Sequence, residues 1–166
     1  MILVGLGANL PSHAGSPERT LRSALDALEM RGAVAGLVSH FYRTPAWPNP
    51  TDPPFVNAAA SLKTSLAPSE LLHLLHDIEK SFGRNREERG GVRNAPRTLD
   101  LDLLDYDGLI QEGPPLLPHP GLEHRAFVLV PLRDVAPGWI HPVSGLSLEA
   151  QIERLGAEAD SPIRVG

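Results

Sequence analysis

The predicted elements of this 166-residue chain run β-α-β-β-α-β. That is the order of a ferredoxin-like α+β sandwich, an antiparallel sheet with both helices on one face, here followed by a C-terminal helical extension. Three observations predict it. Short apolar or alternating runs at 2–8, 34–43, 55–63 and 97–104 read as strands. Two segments with apolar residues at helical spacing stand between the first and second and between the third and fourth of these runs. Gly- and Pro-rich stretches separate the elements.

Each element has a local reason. "ILVGLGA" is a continuous apolar run, as a buried strand requires. "SPERTLRSALDALEMRG" places Leu21, Ala24, Leu25 and Leu28 on one helical face. Ser16 is its N-cap, Pro17 its first helical residue and Gly32 its stop. Residues 34–43 form the second strand, and "TPAWPNPTDPP" is a Pro-rich loop. "FVNAAASLK" alternates as a third strand. "APSELLHLLHDIEKSFG" is a second amphipathic helix that starts near Pro68 or Ser69 and ends at Gly83. After a Gly/Arg loop at 84–95, the fourth strand spans 97–104, and Asp107-Gly108 turns the chain into a short hairpin. Helices near 123–134 and 147–155 complete a single domain over 1–166.

Composition narrows the function. Apolar residues make up 42% of the chain, enough for a packed core. The formal charge of -5 argues against a nucleic-acid binder, so any bound anion must meet a local basic patch. There is no Cys, which excludes disulfides and thiolate metal sites. The N-terminus has no charged leader, and no apolar run reaches membrane-spanning length. The expectation is a cytoplasmic monomer with neither nucleic-acid nor membrane partners.

The most informative stretch is "NAPRTLDLDLLDYDG", with four aspartates inside eight residues. Side chains alternate across a strand. Leu99, Leu101 and Leu103 therefore point one way, and Asp100 and Asp102 the other. The two carboxylates sit about 7 Å apart on one face, where oxygen-only ligation suits Mg²⁺ bound together with phosphates. The competing reading is a solvated strand face with Arg partners. Asp105 has the opposite parity and Asp107 lies in the turn, so both are excluded from the site. Asn57 and Phe55 on the third strand, and Gly5 and Gly7 on the first, share the face of Asp100 and Asp102.

Just upstream, "GRNREERGGVRNAPR" supplies Arg84, Arg86, Arg89, Arg93 and Arg97. Guanidinium forks bind phosphate, so a basic loop leading into an acidic strand reads as a Mg-nucleotide site. Elsewhere in the chain the same loop would read as a charge-balanced surface segment. "GLGANL" lacks the third glycine of a dinucleotide loop, and no Walker lysine occurs. His73 and His76, at i and i+3, read first as a solvated helix face, and His119 stands between prolines in "LLPHPG".

Taken in order, "GLGANL", "FYRTPAW", "PPFVNAAASLKTSLAPSELL", "IEKSFGRNR", "PRTLDLDLL" and "LPHPGLEHRAFVLVPLRDVAPGW" resemble the 6-hydroxymethyl-7,8-dihydropterin pyrophosphokinases of folate biosynthesis. The resemblance covers nearly the whole chain except about the last twenty residues. It implies transfer of pyrophosphate from ATP to the pterin's hydroxymethyl group, with release of AMP. By the family pattern Asp100 and Asp102 hold two Mg²⁺, and Arg84 and Arg97 act in catalysis on the phosphates. His76, Glu79, Arg84, Arg86, Arg97, His119 and Arg125 meet ATP. Thr44, Pro45, Phe55, Asn57 and Phe127 form the pterin pocket. This chain departs from the pattern at Asn94-Ala95, where an aromatic often precedes the "PR" pair, and at Pro114 and Leu116, where some members carry polar residues. RNA-recognition modules and acylphosphatases share the topology. The first would need stacking aromatics and a basic surface, and the second an Arg-bearing loop after the first strand. Neither feature is present.

Overall fold

The computed structural model describes residues 1–46, 49–84 and 96–165. Ten regular elements are assigned there: β1 (Ile2–Ala8), α1 (Pro17–Met30), β2 (Val34–Val38), β3 (Tyr42–Thr44), β4 (Phe55–Lys63), α2 (Pro68–Ser81), β5 (Asp100–Tyr106), α3 (Ala126–Val135), α4 (Leu148–Leu155) and β6 (Ile163–Arg164). The sheet is antiparallel, in the order β5-β1-β4-β3-β6, with β2 pairing the far end of β4. This is the ferredoxin-like arrangement, its second strand split into β2 and β3.

The helix-facing side holds the larger core. Ile2, Val4 and Leu6 of β1, Val56, Ala58, Ala60 and Leu62 of β4, and Leu99, Leu101 and Leu103 pack with Leu21, Leu28, Leu71, Leu75 and Ile78. Complete burial of such side chains contributes about 1.5–3 kcal/mol each. Helix α1 begins where its cap predicts, with Ser16 Oγ accepting from the Arg19 N–H at 3.3 Å. At the start of α2, Ala67 has no capping side chain, and the Glu70 carboxylate accepts its N–H at 2.7 Å.

The opposite face is not left open throughout. Leu3, Ala59 and Leu104 are covered by Leu122, Val128, Leu129 and Leu132 and by Leu148 and Ile152, so α3 and α4 close one part of it. Helix α3 is fastened to β3 at Asp134. Its Oδ2 accepts from Tyr42 Oη at 2.9 Å and from the His40 N–H at 3.0 Å, with His40 Nδ1 at 2.9 Å. Burial and then the Asp134 carboxylate push the Tyr42 pKa up to about 12. Burial opposes the Asp134 charge, but the bonds from His40 and Tyr42 outweigh it and lower its pKa.

Four expectations are corrected. The second strand is irregular between Ala35 and Val38, where Ser61 Oγ rather than a ladder carbonyl accepts the Leu37 N–H at 2.9 Å, and it ends at Val38. Ser39 Oγ then takes the Ala59 N–H at 2.9 Å, and pairing resumes only at Tyr42. The fourth strand starts at Asp100 rather than 97, since the Arg97 carbonyl is taken by the N–H groups of Asn9 and Leu10. Among the described residues no strand pairs back onto β5 across the Asp107-Gly108 turn; the chain instead closes on itself in an isolated bridge between Gln111 and Leu117. Finally, a bulge between Leu3 and Val4 skips Leu104, so Leu3 faces Asp105 and Val4 faces Leu103. The skipped residue turns Asp105 onto the face of Asp102 instead of the leucine face. There it accepts from the Trp139 indole at 2.6 Å and the Gly108 N–H at 2.9 Å, away from the acidic pair.

Candidate active site

The open part of the second face is organised by strand register. Tyr42 pairs with Asn57, Asn57 with Gly7, and Gly7 with Asp100, giving one row across four strands. The adjacent row is Ala59, Gly5 and Asp102. Neighbouring strands lie about 4.8 Å apart, so the backbones of Asn57 and Asp100 stand about 10 Å from one another with Gly7 between them. Gly7 has a steric reason. A Cβ there would come within 2.9 Å of Asn57 Oδ1. The missing side chain leaves a bare floor between an amide and a carboxylate.

At the acidic end, Asp100 is gripped by two guanidinium groups. Arg84 Nη1 contacts its Oδ1, and Arg97 Nη1 donates to its Oδ2 at 3.0 Å. Arg84 also donates to Glu79 Oε1 at 2.9 Å. Burial works against the Arg84 charge, but Asp100 and Glu79 more than offset it, and its pKa is raised. Asp102 is held differently. Among the described residues His119 stands beside it, with Nε2 3.7 Å from Asp102 Oδ1. Burial first, and then the Asp100 charge, push the Asp102 pKa up to about 6, while His119 and Arg125 pull it down. Two carboxylates crowded at this cost fit a divalent cation, which would relieve their repulsion. No cluster of three or more His, Asp or Glu occurs among the described residues. Asp100 and Asp102 thus supply two carboxylates, and the remaining oxygens of a hard cation would come from phosphate or water.

Glu79, expected to meet nucleotide, lies behind Arg84 instead. It is 1% exposed, and its Oε1 also accepts the Leu101 N–H at 2.8 Å. A fully buried carboxylate persists only with such partners. His76 stands exposed on α2, one turn before Glu79. Arg125 caps α3 and lies 5.8 Å from the centroid of the Phe127 ring. Arg86 lies outside the described residues, as do Arg89 and Arg93.

At the other end of the row, Asn57 Nδ2 donates to Thr44 Oγ1 at 2.8 Å, and both residues are buried. Thr44 pairs with Phe55 in register, so both edge the same patch of sheet. Pro45 is exposed, Phe55 partly so, and Phe127 is 39% exposed. Among the described residues Phe55 and Phe127 make no ring contact with each other.

Asn9 escaped the sequence reading. It is buried between the two ends of the site, donating to the Pro53 carbonyl at 3.0 Å and accepting the Arg97 N–H at 2.8 Å. The available signal was "GLGANL", an amide placed straight after a strand whose glycines floor the site.

Comparisons with known proteins agree on one family. The family model of 7,8-dihydro-6-hydroxymethylpterin-pyrophosphokinase matches residues 3–137. The chain is 39% identical over 169 residues to the 2-amino-4-hydroxy-6-hydroxymethyldihydropteridine pyrophosphokinase of Synechocystis, covering 99% of this chain and 80% of that protein. It is 41% identical over 138 residues to the Pseudomonas aeruginosa protein of the same name, covering 82% and 80%. Among solved structures, wild-type Plasmodium falciparum HPPK-DHPS with pteroate superposes with a TM-score of 0.69 at 13% identity, covering 98% of this chain and 47% of that one. The chain spans about half the length of that solved chain, and this likeness speaks for the fold alone.

Proposed function

The chain belongs to the 7,8-dihydro-6-hydroxymethylpterin-pyrophosphokinase family, and from that premise we propose how its own residues carry the reaction. It is a pyrophosphokinase of folate biosynthesis. Our reading is that ATP donates its β,γ-pyrophosphoryl group to the hydroxymethyl oxygen of the pterin and leaves as AMP. The observation that carries this reading is the row Asn57–Gly7–Asp100, which holds an amide and a carboxylate on either side of a bare floor.

Asn57, fixed by Thr44, offers its remaining polar capacity to the donor and acceptor edge of the pterin ring. Phe55 and Phe127 supply aromatic faces for the planar ring, and Pro45 borders it. Asp100 and Asp102 would hold two Mg²⁺, which when bound screen the triphosphate and align it with the attacking hydroxyl. Arg84 and Arg97 neutralise Asp100 in the ligand-free protein. On nucleotide binding they exchange part of that contact for phosphate oxygens and stabilise the charge that develops during transfer. His119 and Arg125, both near Asp102, would meet the nucleotide, Arg125 with its positive charge and His119 through its ring nitrogens. His76 would meet the nucleotide from α2, and Glu79 acts by holding Arg84 and β5 in place.

Product analysis tests the reading. Incubation with ATP, Mg²⁺ and the reduced pterin should yield AMP and pterin diphosphate in equal amounts. ADP in place of AMP would mean that a single phosphate moves, and the assignment would fall.

A further inference from the structure

We infer that Asn9 is a positioning residue that couples the pterin side of the site to its phosphate side, a role that rests on the assignments above for Asn57 and Arg97. Asn9 is 3% exposed, and both ends of its amide are engaged. Nδ2 donates to the Pro53 carbonyl, two residues before Phe55. Oδ1 accepts the Arg97 N–H, three residues before Asp100. The backbone of the same residue completes the grip, since the N–H groups of Asn9 and Leu10 donate to the Arg97 carbonyl at 3.1 and 3.2 Å. Both backbone polar groups of Arg97 are thus held by one short turn. The side chain of that turn also holds the lead-in to β4.

The chemistry of the position calls for an amide. One partner is a carbonyl and needs a donor, and the other is an N–H and needs an acceptor. A carboxylate would turn an acceptor toward the Pro53 carbonyl, and a hydroxyl has too short an arm to span both. The two segments joined are far apart in the chain, at 44 and 88 residues from Asn9. Each leads directly into the strand that bears one half of the site. The same loop rests on the end of α2, where the His13 ring stacks on Phe82 with centroids 5.0 Å apart, two residues before Arg84. A ligand that immobilises Arg97 therefore also restrains Pro53 through Asn9. The second ligand then meets a segment already ordered and binds more tightly.

The test is a coupling measurement on the intact chain. Affinity for the reduced pterin is determined by calorimetry, with and without an ATP analogue that carries methylene between its α and β phosphorus, in the presence of Mg²⁺. The wild type should bind the pterin more tightly when the analogue is present. Asn9→Asp, which keeps the acceptor for Arg97 but loses the donor to Pro53, should lower that ratio by about tenfold while each ligand alone binds within about twofold of the wild type. Asn9→Ser should lower it in the same direction and keeps a neutral side chain should the buried charge disturb folding. Variants that weaken both ligands in parallel with the ratio preserved would overturn the inference and leave Asn9 a structural clasp. A wild-type ratio of one would overturn it as well. Failure of the wild type to bind either ligand would overturn the pterin reading itself.

Discussion

Strand β5 carries carboxylates at both ends, and the two ends live under different rules. Asp105 is 3% exposed, yet each of its oxygens receives a neutral donor, the Gly108 N–H at one and the Trp139 indole at the other. Its role is complete within the fold. Asp100 and Asp102 share one face, where their contacts among the described residues are with charged or ring groups. They depend on arginines and a histidine, and Asp102 holds its proton more tightly than an ordinary aspartate. A carboxylate that the fold satisfies is structural. A pair that the fold leaves in mutual repulsion is what the proposed cation would relieve.

The sharpest way to break this contrast is to neutralise each end in turn. Asp100→Asn or Asp102→Asn should lower kcat by about a thousandfold or more, the scale of losing a principal charge-stabilising group. In chelator, Asp102→Asn should melt no lower than the parent, because it removes a like charge from beside Asp100. Near-normal turnover at limiting Mg²⁺ would dissolve the distinction. The mirror experiment is Asp105→Asn. It leaves one of the two donors facing an amide N–H, so thermal or denaturant unfolding should show a loss of about 1–2 kcal/mol, while kcat stays close to the parent value. Equal damage to activity at both ends would mean that β5 acts as a single unit.

A finer cut lies across the row rather than along the strand. Asn57→Ala should weaken the pterin by about 1–3 kcal/mol, since the ring's polar edge loses its partner, and should leave ATP affinity nearly unchanged. Calorimetric titration with each ligand decides it. Parallel losses would make Asn57 part of the scaffold, on the side of Asp105.

The smallest expected effect tests another carboxylate, Asp134, which the fold also satisfies. The Tyr42 pKa is higher folded than unfolded. The contribution of its protonated hydroxyl is therefore fully present below pH 10 and is lost as pH rises from about 10 to about 12. Asp134 is shifted the other way, so its contribution holds above the ordinary aspartate range and fades as pH falls through its lowered value. Tyr42→Phe should cost about 1 kcal/mol near neutrality and flatten the alkaline decline in melting temperature. A decline of the same steepness in that variant would assign it to other groups.

Much of this was legible from local pattern. The bounds of β1, β4 and α1 follow from a continuous apolar run, a period-two run and the Ser16-Pro17 start, because these segments answer mainly to their own spacing. The face of Asp100 and Asp102 followed from parity alone. Distant partners hid the rest. The irregularity within β2 depends on Ser61, the gap between β2 and β3 on Ser39 meeting Ala59, the late start of β5 on Asn9 and Leu10, and the direction of Asp105 on a skipped residue. Strand β6 is two residues long and pairs with Tyr42 and Arg43, a contact that no periodicity announces. Within the site, the burial of Glu79 is set by Arg84 and by the backbone of Leu101, and the importance of Asn9 by Pro53 and Arg97.

The skipped residue in β5 has a consequence for how such a chain can change length. Parity in a strand is unforgiving, because one inserted residue sends every later side chain to the other face. With Leu104 outside the ladder, the segment Asp100–Leu103 is registered against β1 separately from the segment beyond Asp105. An insertion or deletion in the turn after Tyr106 would be absorbed without disturbing either aspartate of the site. A single residue gained between Asp100 and Asp102 would bring Asp100 round among the leucines and empty half of the acidic pair. Length variation among homologous chains should therefore gather after the bulge and be purged before it.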